Sequence, residues 1–164
     1  MRTVNPSHIS AFTFALVVAS TVVGCQPGGR ANAAPTARAA IDERAIGELF
    51  GRLAEATNVR DFEAFGADVT SDWTYFTSGG SEVELARFAQ MISGWTELHI
   101  AVTDVRPRLS GDGRLAWATL RGHLIGETDG DATERRLRFT GILHRTDAGW
   151  KLRHLQSTIA AESQ

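Results

Sequence analysis

At 164 residues, with 43% hydrophobic and 22% charged side chains, the chain has the size and composition of one ordinary folded domain. All 19 acidic residues lie in Ile41 to Gln164, together with 14 of the 17 basic residues, so this part has a net charge of −5. That balance argues against nucleic acid as a partner, because affinity for a phosphate backbone depends on clustered Lys and Arg side chains.

The first predicted element is an export signal over residues 1–24. Arg2 precedes an apolar stretch, Ile9 to Val23, that is too short and too rich in hydroxyl side chains to predict a membrane span. It ends in Gly24-Cys25, which resembles the lipobox of bacterial lipoproteins. The resemblance implies cleavage before Cys25, acylation of its sulfur (palmitate is the typical chain) and attachment to the cell envelope. Because Gln26 is not Asp, it further implies the outer membrane, facing the periplasm, in a diderm organism.

Two other interpretations of the N-terminus stay open. The first is ordinary secretion, with cleavage after the small-x-small run Ala31-Asn32-Ala33, although Arg30 and the distance from the apolar stretch weaken it. The second is a cytosolic protein in which Cys25 is a buried core residue. An apolar start that ends in Gly-Cys is hard to explain as cytosolic structure, so we expect the lipoprotein.

Residues 25–38 contain Gly, Pro, Ala and Asn without aromatic or branched aliphatic side chains, which predicts a flexible tether. One domain should follow over residues 39–161. Its first predicted helix buries Ile41, Ala45, Leu49 and Leu53, with Ile46 and Phe50 beside them. A short second helix should begin after Asp61 as its N-cap.

An aromatic strand is predicted over Asp72 to Thr77, and a third helix should begin at Ser81, because Ser81 and Glu84 have the spacing of a capping box. Four strands follow, over Leu98 to Leu109, Arg114 to Gly126, Thr133 to Arg145 and Trp150 to Ile159. Short turns rich in Gly and Asp separate them. Helices followed by an antiparallel meander predict an α+β fold.

Both faces of these strands carry apolar side chains, for example Leu115 and Trp117 on one face and Ala116 and Leu120 on the other. One face should pack on the helices. The other face is expected to meet a second copy of the chain, giving a homodimer that sedimentation would detect.

The end of the chain carries a further resemblance. An Arg-x-Thr strand leads through a short Gly turn to Trp-x-aliphatic-x-His, at Arg138, Thr140, Gly149, Trp150, Leu152 and His154. This run resembles the SnoaL-like branch of the nuclear transport factor 2-like superfamily. Members usually continue with His-x-Ser, where this chain has Gln156 and Thr158. The resemblance implies a cone-shaped, curved antiparallel sheet wrapped around three N-terminal helices, as in the cystatin-like roll. It also implies a pocket between the concave face and the helices.

The strand register decides which side chains enter that pocket. If Gly149 is a bulge residue, Thr146 pairs with Trp150, and the concave face then carries Arg138, Thr140, Ile142, Leu152, His154, Gln156 and Thr158. We expect this register. A four-residue loop would instead place Phe139, Gly141 and Leu143 on that face and turn Arg138 outward.

In the expected register His154 is the candidate general base, with Tyr75 as a second catalytic candidate, because a neutral imidazole can accept a proton. Trp73, Arg138, Thr140 and Gln156 are the candidate ligand-binding residues, and Arg138 is able to hold an anionic group. The alternative is structural: His154 is a hydrogen-bonded core histidine and Arg138 pairs with a carboxylate. The four tryptophans could form an aromatic pocket for a flat apolar ligand, but large aromatics at strand and helix spacing are more typical of plain core packing.

Several site classes find no support in the sequence. Asp72 and Asp104 are expected to be surface or capping acids, so no carboxylate base of the ketosteroid isomerase kind can be assigned. The acidic run from Glu127 to Glu134 has the spacing of a hairpin turn rather than a calcium loop. No zinc spacing, phosphate loop or nucleophile elbow occurs, so we expect no metal and no cofactor.

These observations predict a lipid-anchored envelope protein whose pocket domain binds a small apolar ligand or a partner protein. The alternative is a cofactor-independent isomerase, cyclase or dehydratase that works by acid-base chemistry in the pocket, because the superfamily that the chain resembles contains both kinds of protein.

Cys25→Ser tests the lipid anchor. We expect the variant to accumulate at precursor size and to lose the lipid-dependent membrane attachment of the wild type, because a hydroxyl cannot be thioether-linked and acylated as the thiol is. Fractionation and precursor size on gels measure this. Unchanged processing together with unchanged membrane attachment would contradict the lipoprotein prediction.

Overall fold

The computed structural model describes residues 37–160, and the predicted export signal, Cys25 and the tether up to residue 36 lie outside this range. No helix in the described range is long and apolar enough to span a membrane. Three helices and six strands follow in the order α1 (Ala37–Val59), α2 (Phe62–Ala67), β1 (Val69–Phe76), β2 (Glu82–Glu84), α3 (Leu85–Ser93), β3 (Glu97–Leu109), β4 (Leu115–Thr128), β5 (Asp131–Thr146) and β6 (Gly149–Ile159). The expected α+β class is confirmed.

The six strands form one curved open sheet in the order β2-β1-β6-β5-β4-β3. All neighbours are antiparallel except β1 and β6, which run parallel. The four strands β3 to β6 form the predicted meander, and the N-terminal strand β1 joins it beside the last strand. The expected antiparallel sheet is therefore present with one parallel pairing added at β1.

Helix α1 closes the inner face of the sheet with a stripe of apolar side chains. Ile46, Leu49, Phe50 and Leu53 are buried, whereas Ile41 is 68% exposed. The prediction that Ile41 belongs to the buried face is wrong. The buried stripe instead continues from Ile46 back to Asp42, one turn earlier. Ile41 lies about 100° around the helix axis from Asp42 and therefore faces away from the sheet.

Asp42 is buried because it has partners at the start of β6 and the end of β5. Its Oδ1 accepts a hydrogen bond from the indole Nε1 of Trp150 at 3.3 Å and forms an ion pair with Arg145. The guanidinium of Arg145 lies 4.6 Å from the centroid of the Trp150 ring. A buried carboxylate needs such compensation, so this cluster fixes the first turns of α1 against the sheet.

The two predicted helix starts have different outcomes. The carboxylate of Asp61 accepts a hydrogen bond from the backbone N–H of Ala64 at 2.9 Å, which confirms the N-cap of α2. The capping box is wrong, because Glu82–Glu84 forms β2 and α3 begins at Leu85 with no side-chain cap. β2 instead pairs with β1, and the backbone N–H of Ser81 donates to Oγ1 of Thr77 at 3.2 Å, so a threonine hydroxyl takes the role that the box gave to Glu84.

The turn between β5 and β6 also departs from the expected register. Thr146 pairs with Gly149, not with Trp150, so Gly149 is not a bulge residue. The irregularity lies further on, where Leu143 pairs with Leu152 but Ile142 pairs with His154, leaving Arg153 unpaired. This bulge separates Leu152, which is fully buried, from the more exposed residues after it.

The expected group of side chains stays together, but on the outer face. Arg138 pairs with Thr158 and Thr140 pairs with Gln156, as the expected register required. Their strand neighbours Leu137, Phe139, Gly141 and Leu143 are the buried ones. The predicted concave placement of Arg138, Thr140, His154 and Gln156 is therefore corrected, because burying the apolar alternate residues of β5 turns their polar neighbours outward.

The outer face also carries the apolar side chains that led us to expect a homodimer. Leu115, Trp117 and Ile142 are 42%, 49% and 42% exposed, and Trp117 and Ile142 are direct cross-strand partners. Self-association through this face stays a prediction.

One glycine of the inner face sets how closely α1 approaches the sheet. A Cβ added to Gly141 would lie 2.9 Å from Cζ of Phe50 and 3.0 Å from Cδ1 of Leu152. The ring of Phe50 thus occupies the space that any other residue at position 141 would fill, and this contact joins α1 to the middle of the sheet.

Gly141→Ala should therefore lower the free energy of unfolding by about 1–3 kcal/mol, because the methyl group overpacks the contact with Phe50. Gly47→Ala is the matched control: its Cβ would meet nothing within 4 Å, and helix propensity should raise stability by about 0.5–1 kcal/mol. Denaturant unfolding of both variants measures the difference. An unchanged free energy of unfolding in Gly141→Ala would contradict the close approach of Phe50.

Candidate functional site

A cavity of about 590 Å³ lies between the helices and the inner face of the sheet. Its wall is mainly apolar and includes Phe50, Leu53, Phe88, Ile92, Trp95, Ile100, Val102, Leu120, Leu124, Leu137, Phe139, Leu152 and Leu155. This volume is within the usual range for small-molecule pockets. The expected pocket between the concave face and the helices is therefore present and is not filled by side chains of the described chain.

Close packing around one glycine helps to shape the wall. A Cβ on Gly122 of β4 would lie 2.4 Å from Cε2 of Phe139 on the neighbouring strand. The Phe139 ring therefore packs against the backbone of β4 at Gly122 and forms part of the cavity wall. Together with the small residue Ala54 on α1, it leaves the space open.

Two buried polar features lie in this wall: the hydroxyl of Thr57, which donates to the backbone oxygen of Leu53 at 2.8 Å, and a hydrogen-bonded pair of side chains. The hydroxyl of Tyr75 on β1 lies 2.7 Å from Oγ of Ser157 on β6, and Ser157 is only 2% exposed. The parallel pairing of β1 with β6 brings the two residues together. Burial raises the pKa of the Tyr75 phenol above its ordinary value, and the hydrogen bond with Ser157, in which either hydroxyl can be the donor, offsets this only in part. The phenol is therefore a neutral hydrogen-bond donor at neutral pH.

Aromatic rings hold Tyr75 in place. The ring of Trp73 stacks on it with centroids 6.3 Å apart, and Phe88 of α3 meets it edge-on at 5.8 Å. Trp73 is 3% exposed and lies behind Tyr75 in the core rather than in the cavity wall. Its aromatic neighbours favour the core interpretation of this tryptophan.

The charged side chains of the cavity lining are Glu82, Arg87 and Arg135. All three are exposed, so they belong to the rim and not to the interior. Arg87 donates to the side-chain oxygen of Gln90 at 3.2 Å. The rim has one more positive than negative charge, in a domain whose net charge is negative.

Of the predicted site residues, the structure places only Tyr75 in the cavity wall. His154 is on the outer face, where its Nδ1 lies 2.9 Å from Oγ1 of Thr74 and its ring lies 5.3 Å from that of Phe76. Arg138 and Thr140 line a separate outer cleft, and Gln156 is exposed beside them. The structure therefore does not bring His154 and Tyr75 to one site, and the catalytic and binding roles stay predictions.

Sequence analysis missed Ser157, which is the partner of Tyr75. Strict alternation from Leu152 would place residue 157 on the opposite face, because five residues separate the two positions. The bulge at Arg153 reverses the alternation, so Ser157 points inward with Leu152. The only signal in the sequence was a small hydroxyl residue between exposed polar neighbours.

These groups define what the cavity can do chemically. It can bury apolar surface, and the phenol of Tyr75 can donate one hydrogen bond to a carbonyl or hydroxyl of a ligand. Neither His nor Asp belongs to the lining contributed by residues 37–160, and its one carboxylate, Glu82, is exposed at the rim. Within the same range, no three His, Cys, Asp or Glu side chains are close enough together to hold a metal ion.

A family model described as "SnoaL-like domain" matches residues 46–162. The match covers most of the chain, so this protein belongs to the SnoaL-like family, and the resemblance noted in the sequence is confirmed. No protein of curated function matches the sequence.

Solved structures with the same fold include an NTF2-like protein of unknown function in nutrient uptake from Rhodospirillum rubrum. It is 22% identical over 71% of this chain and 98% of its own, with a TM-score of 0.64. A putative dehydratase of the NTF2-like family from Streptomyces avermitilis is 18% identical over 75% and 99%, with a TM-score of 0.66. The hexachlorocyclohexane dehydrochlorinase LinA-type3 from Novosphingobium barchaimii is 12% identical over 76% and 90%, with a TM-score of 0.67. At these identities the likeness shows the NTF2-like, cystatin-like fold alone.

Because Tyr75 is the only tyrosine of the chain, its ionisation can be followed by phenolate absorbance. We expect a titration midpoint above the ordinary value of 10.0, since burial favours the neutral phenol. The folded state then holds the proton more tightly than the unfolded state. Its contribution to stability is complete below about pH 10 and is lost as pH rises through the folded pKa.

The same titration in denaturant provides the unfolded reference, and Tyr75→Phe should lack the phenolate signal. A native midpoint at or below the denatured one would contradict the buried, hydrogen-bonded position of Tyr75.

Proposed function

We propose that this protein is a lipid-anchored envelope protein whose SnoaL-like domain binds a small apolar ligand in the cavity. The observation that carries the proposal is the open apolar cavity of about 590 Å³ with the Tyr75–Ser157 pair as a polar group in its wall. The apolar side chains that line an open cavity lack dispersion contacts on one side. A ligand that fills the cavity supplies these contacts.

The Tyr75 hydroxyl narrows the kind of ligand. Because it can donate to an acceptor inside an apolar wall, we infer a ligand with a mostly hydrocarbon body and one carbonyl, ether or hydroxyl oxygen. A protein partner is favoured less, because the described groups form a concave cavity rather than a flat apolar surface around this site.

The envelope part of the proposal rests on the sequence alone. The apolar stretch before Cys25 and the tether after it predict export and anchoring. The structure describes neither, apart from residues 37 and 38, which begin α1. An anchored domain on a tether would hold the cavity near a membrane, where apolar molecules concentrate.

The second candidate function is a cofactor-independent isomerase, cyclase or dehydratase. The Tyr75–Ser157 pair favours it, because a neutral phenol in an apolar pocket can stabilise negative charge on a substrate oxygen. The names of two structural neighbours, a putative dehydratase and a dehydrochlorinase, give this alternative some support. Against it stands the lining itself, whose single carboxylate is at the exposed rim and which lacks an imidazole among residues 37–160. Binding without turnover is therefore the better-supported function.

Ala54→Trp tests the cavity as a binding site. Ala54 lines it from α1, and an indole at that position should lower the affinity for an apolar fluorescent probe, N-phenylnaphthylamine, by about tenfold or more. The reason is that the indole takes the apolar contacts that the probe would make.

Ala40→Trp is the matched control, because Ala40 is an exposed alanine of the same helix and its substitution should leave the affinity unchanged. Thermal unfolding of both variants checks that the fold is kept. Probe binding that does not saturate, or that Ala54→Trp leaves intact in a folded variant, would overturn the proposed binding site.

A further inference from the structure

A second concave feature lies on the outer face of the sheet. It is a cleft of about 340 Å³, lined by Asp104, Arg106, Thr119, Leu120, Arg121, Arg138, Phe139, Thr140 and Thr158. These residues come from four adjacent strands, β3 to β6. The cavity described above lies on the opposite face of the sheet, and the two linings have only Leu120 and Phe139 in common.

The register places two of these arginines directly opposite each other. Arg121 of β4 and Arg138 of β5 are cross-strand partners, and the next pair on the same face is Thr119 with Thr140. Like charges that face each other across two strands repel and are destabilising unless something neutralises them. Both arginines nevertheless lie on the same face of the sheet, as one cross-strand pair.

Asp104 neutralises only part of this charge. A bulge in β3 gives Asp104 a positive φ of 55°, and its carboxylate forms ion pairs with Arg106 at 2.8 Å and Arg121 at 3.2 Å. The guanidinium of Arg138 has no hydrogen-bond or ion-pair partner among the described residues. Arg106 and Arg121 thus share one carboxylate and Arg138 has none, in a domain whose net charge is −5 over residues 41–164.

We propose that this cleft is an anion-binding site, in which Arg121 and Arg138 hold a phosphate group from two sides. The planar forks of the two guanidinium groups fit phosphate oxygens, and the hydroxyls of Thr119, Thr140 and Thr158 supply additional donors at the edge of the cleft. An anion between the strands would convert the repulsion of the two arginines into attraction. The cleft is also larger than a bare phosphate ion, so it takes a phosphate ester with a small polar substituent.

Titration of the full-length chain with inorganic phosphate tests the site, by calorimetry and by the rise in Tm, with sodium chloride at matched ionic strength as the reference. We expect Arg138→Gln to weaken phosphate binding about tenfold, since a hydrogen bond to a charged group is lost. The phosphate affinity of Arg138→Lys should lie between those of the wild type and Arg138→Gln, because lysine keeps the positive charge but lacks the planar, bidentate guanidinium group.

A stability readout separates this role from a structural one. Without phosphate, Arg138→Gln should leave Tm unchanged or raise it, because the substitution removes the repulsion with Arg121. Arg108→Gln, an exposed arginine of the same face outside the cleft, is the control and should bind phosphate like the wild type.

Two further titrations identify the source of the phosphate. Competition by glycerol phosphate points to a soluble ester. Tighter competition by a short-chain phosphatidylglycerol, kept below its micelle concentration, points to a lipid headgroup. Either result supports the site. Equal phosphate affinity of the wild type and Arg138→Gln, or equal stabilisation by chloride, would overturn it.

Discussion

The close contact of Phe50 with Gly141 is the constraint on which the rest of the fold depends. It allows one helix to approach the middle of the sheet, and the stripe from Ile46 to Leu53 is buried as a consequence. The Asp42 cluster fixes the same helix at its start, with a carboxylate between Arg145 and Trp150. Two contacts of different chemistry thereby define both the distance and the direction of α1.

The position of α1 explains why space remains beside it. At one end of the inner face, Phe50 and Leu152 are in van der Waals contact with the position of Gly141 and close the core. Towards the other end, the wall includes Ile100, Leu124 and Leu137. The short helix α3 covers this end with one face, which carries Arg87, Phe88, Met91 and Ile92. The cavity is thus a consequence of one long and one short helix covering strands of unequal length. The Tyr75–Ser157 pair gives it one polar position.

Much of this architecture could be predicted from the sequence. The α+β order, the N-cap at Asp61, the four-strand meander and the family all follow from periodicity, turn chemistry and the Arg-x-Thr to Trp-x-aliphatic-x-His run. These signals are local, so one sequence is enough to recognise them. The apolar stretch before Cys25 is also a local signal, but it lies outside the described residues, so the fold does not test its role.

The site was harder to predict because its residues depend on non-local pairing. One unpaired residue, Arg153, reverses the face of every later residue of β6, and no turn signal marks it. His154 and Gln156 were therefore assigned to the wrong face, and Ser157 was overlooked. Likewise, Glu82–Glu84 forms a strand and not a capping box, because β1 and the hydroxyl of Thr77 provide hydrogen-bond partners that the capping-box spacing does not reveal.

The parallel pairing of β1 with β6 has a kinetic consequence. Thr74 and His154 are hydrogen-bonded although 80 positions apart in the chain, and β6 is an interior strand of the sheet. The meander β3 to β6 can form by successive hairpins, but β1 and its hairpin partner β2 gain a sheet only after the last strand is in place. Closing so large a loop is entropically costly, so we expect β1 and β2 to join the sheet late and to limit the rate of folding.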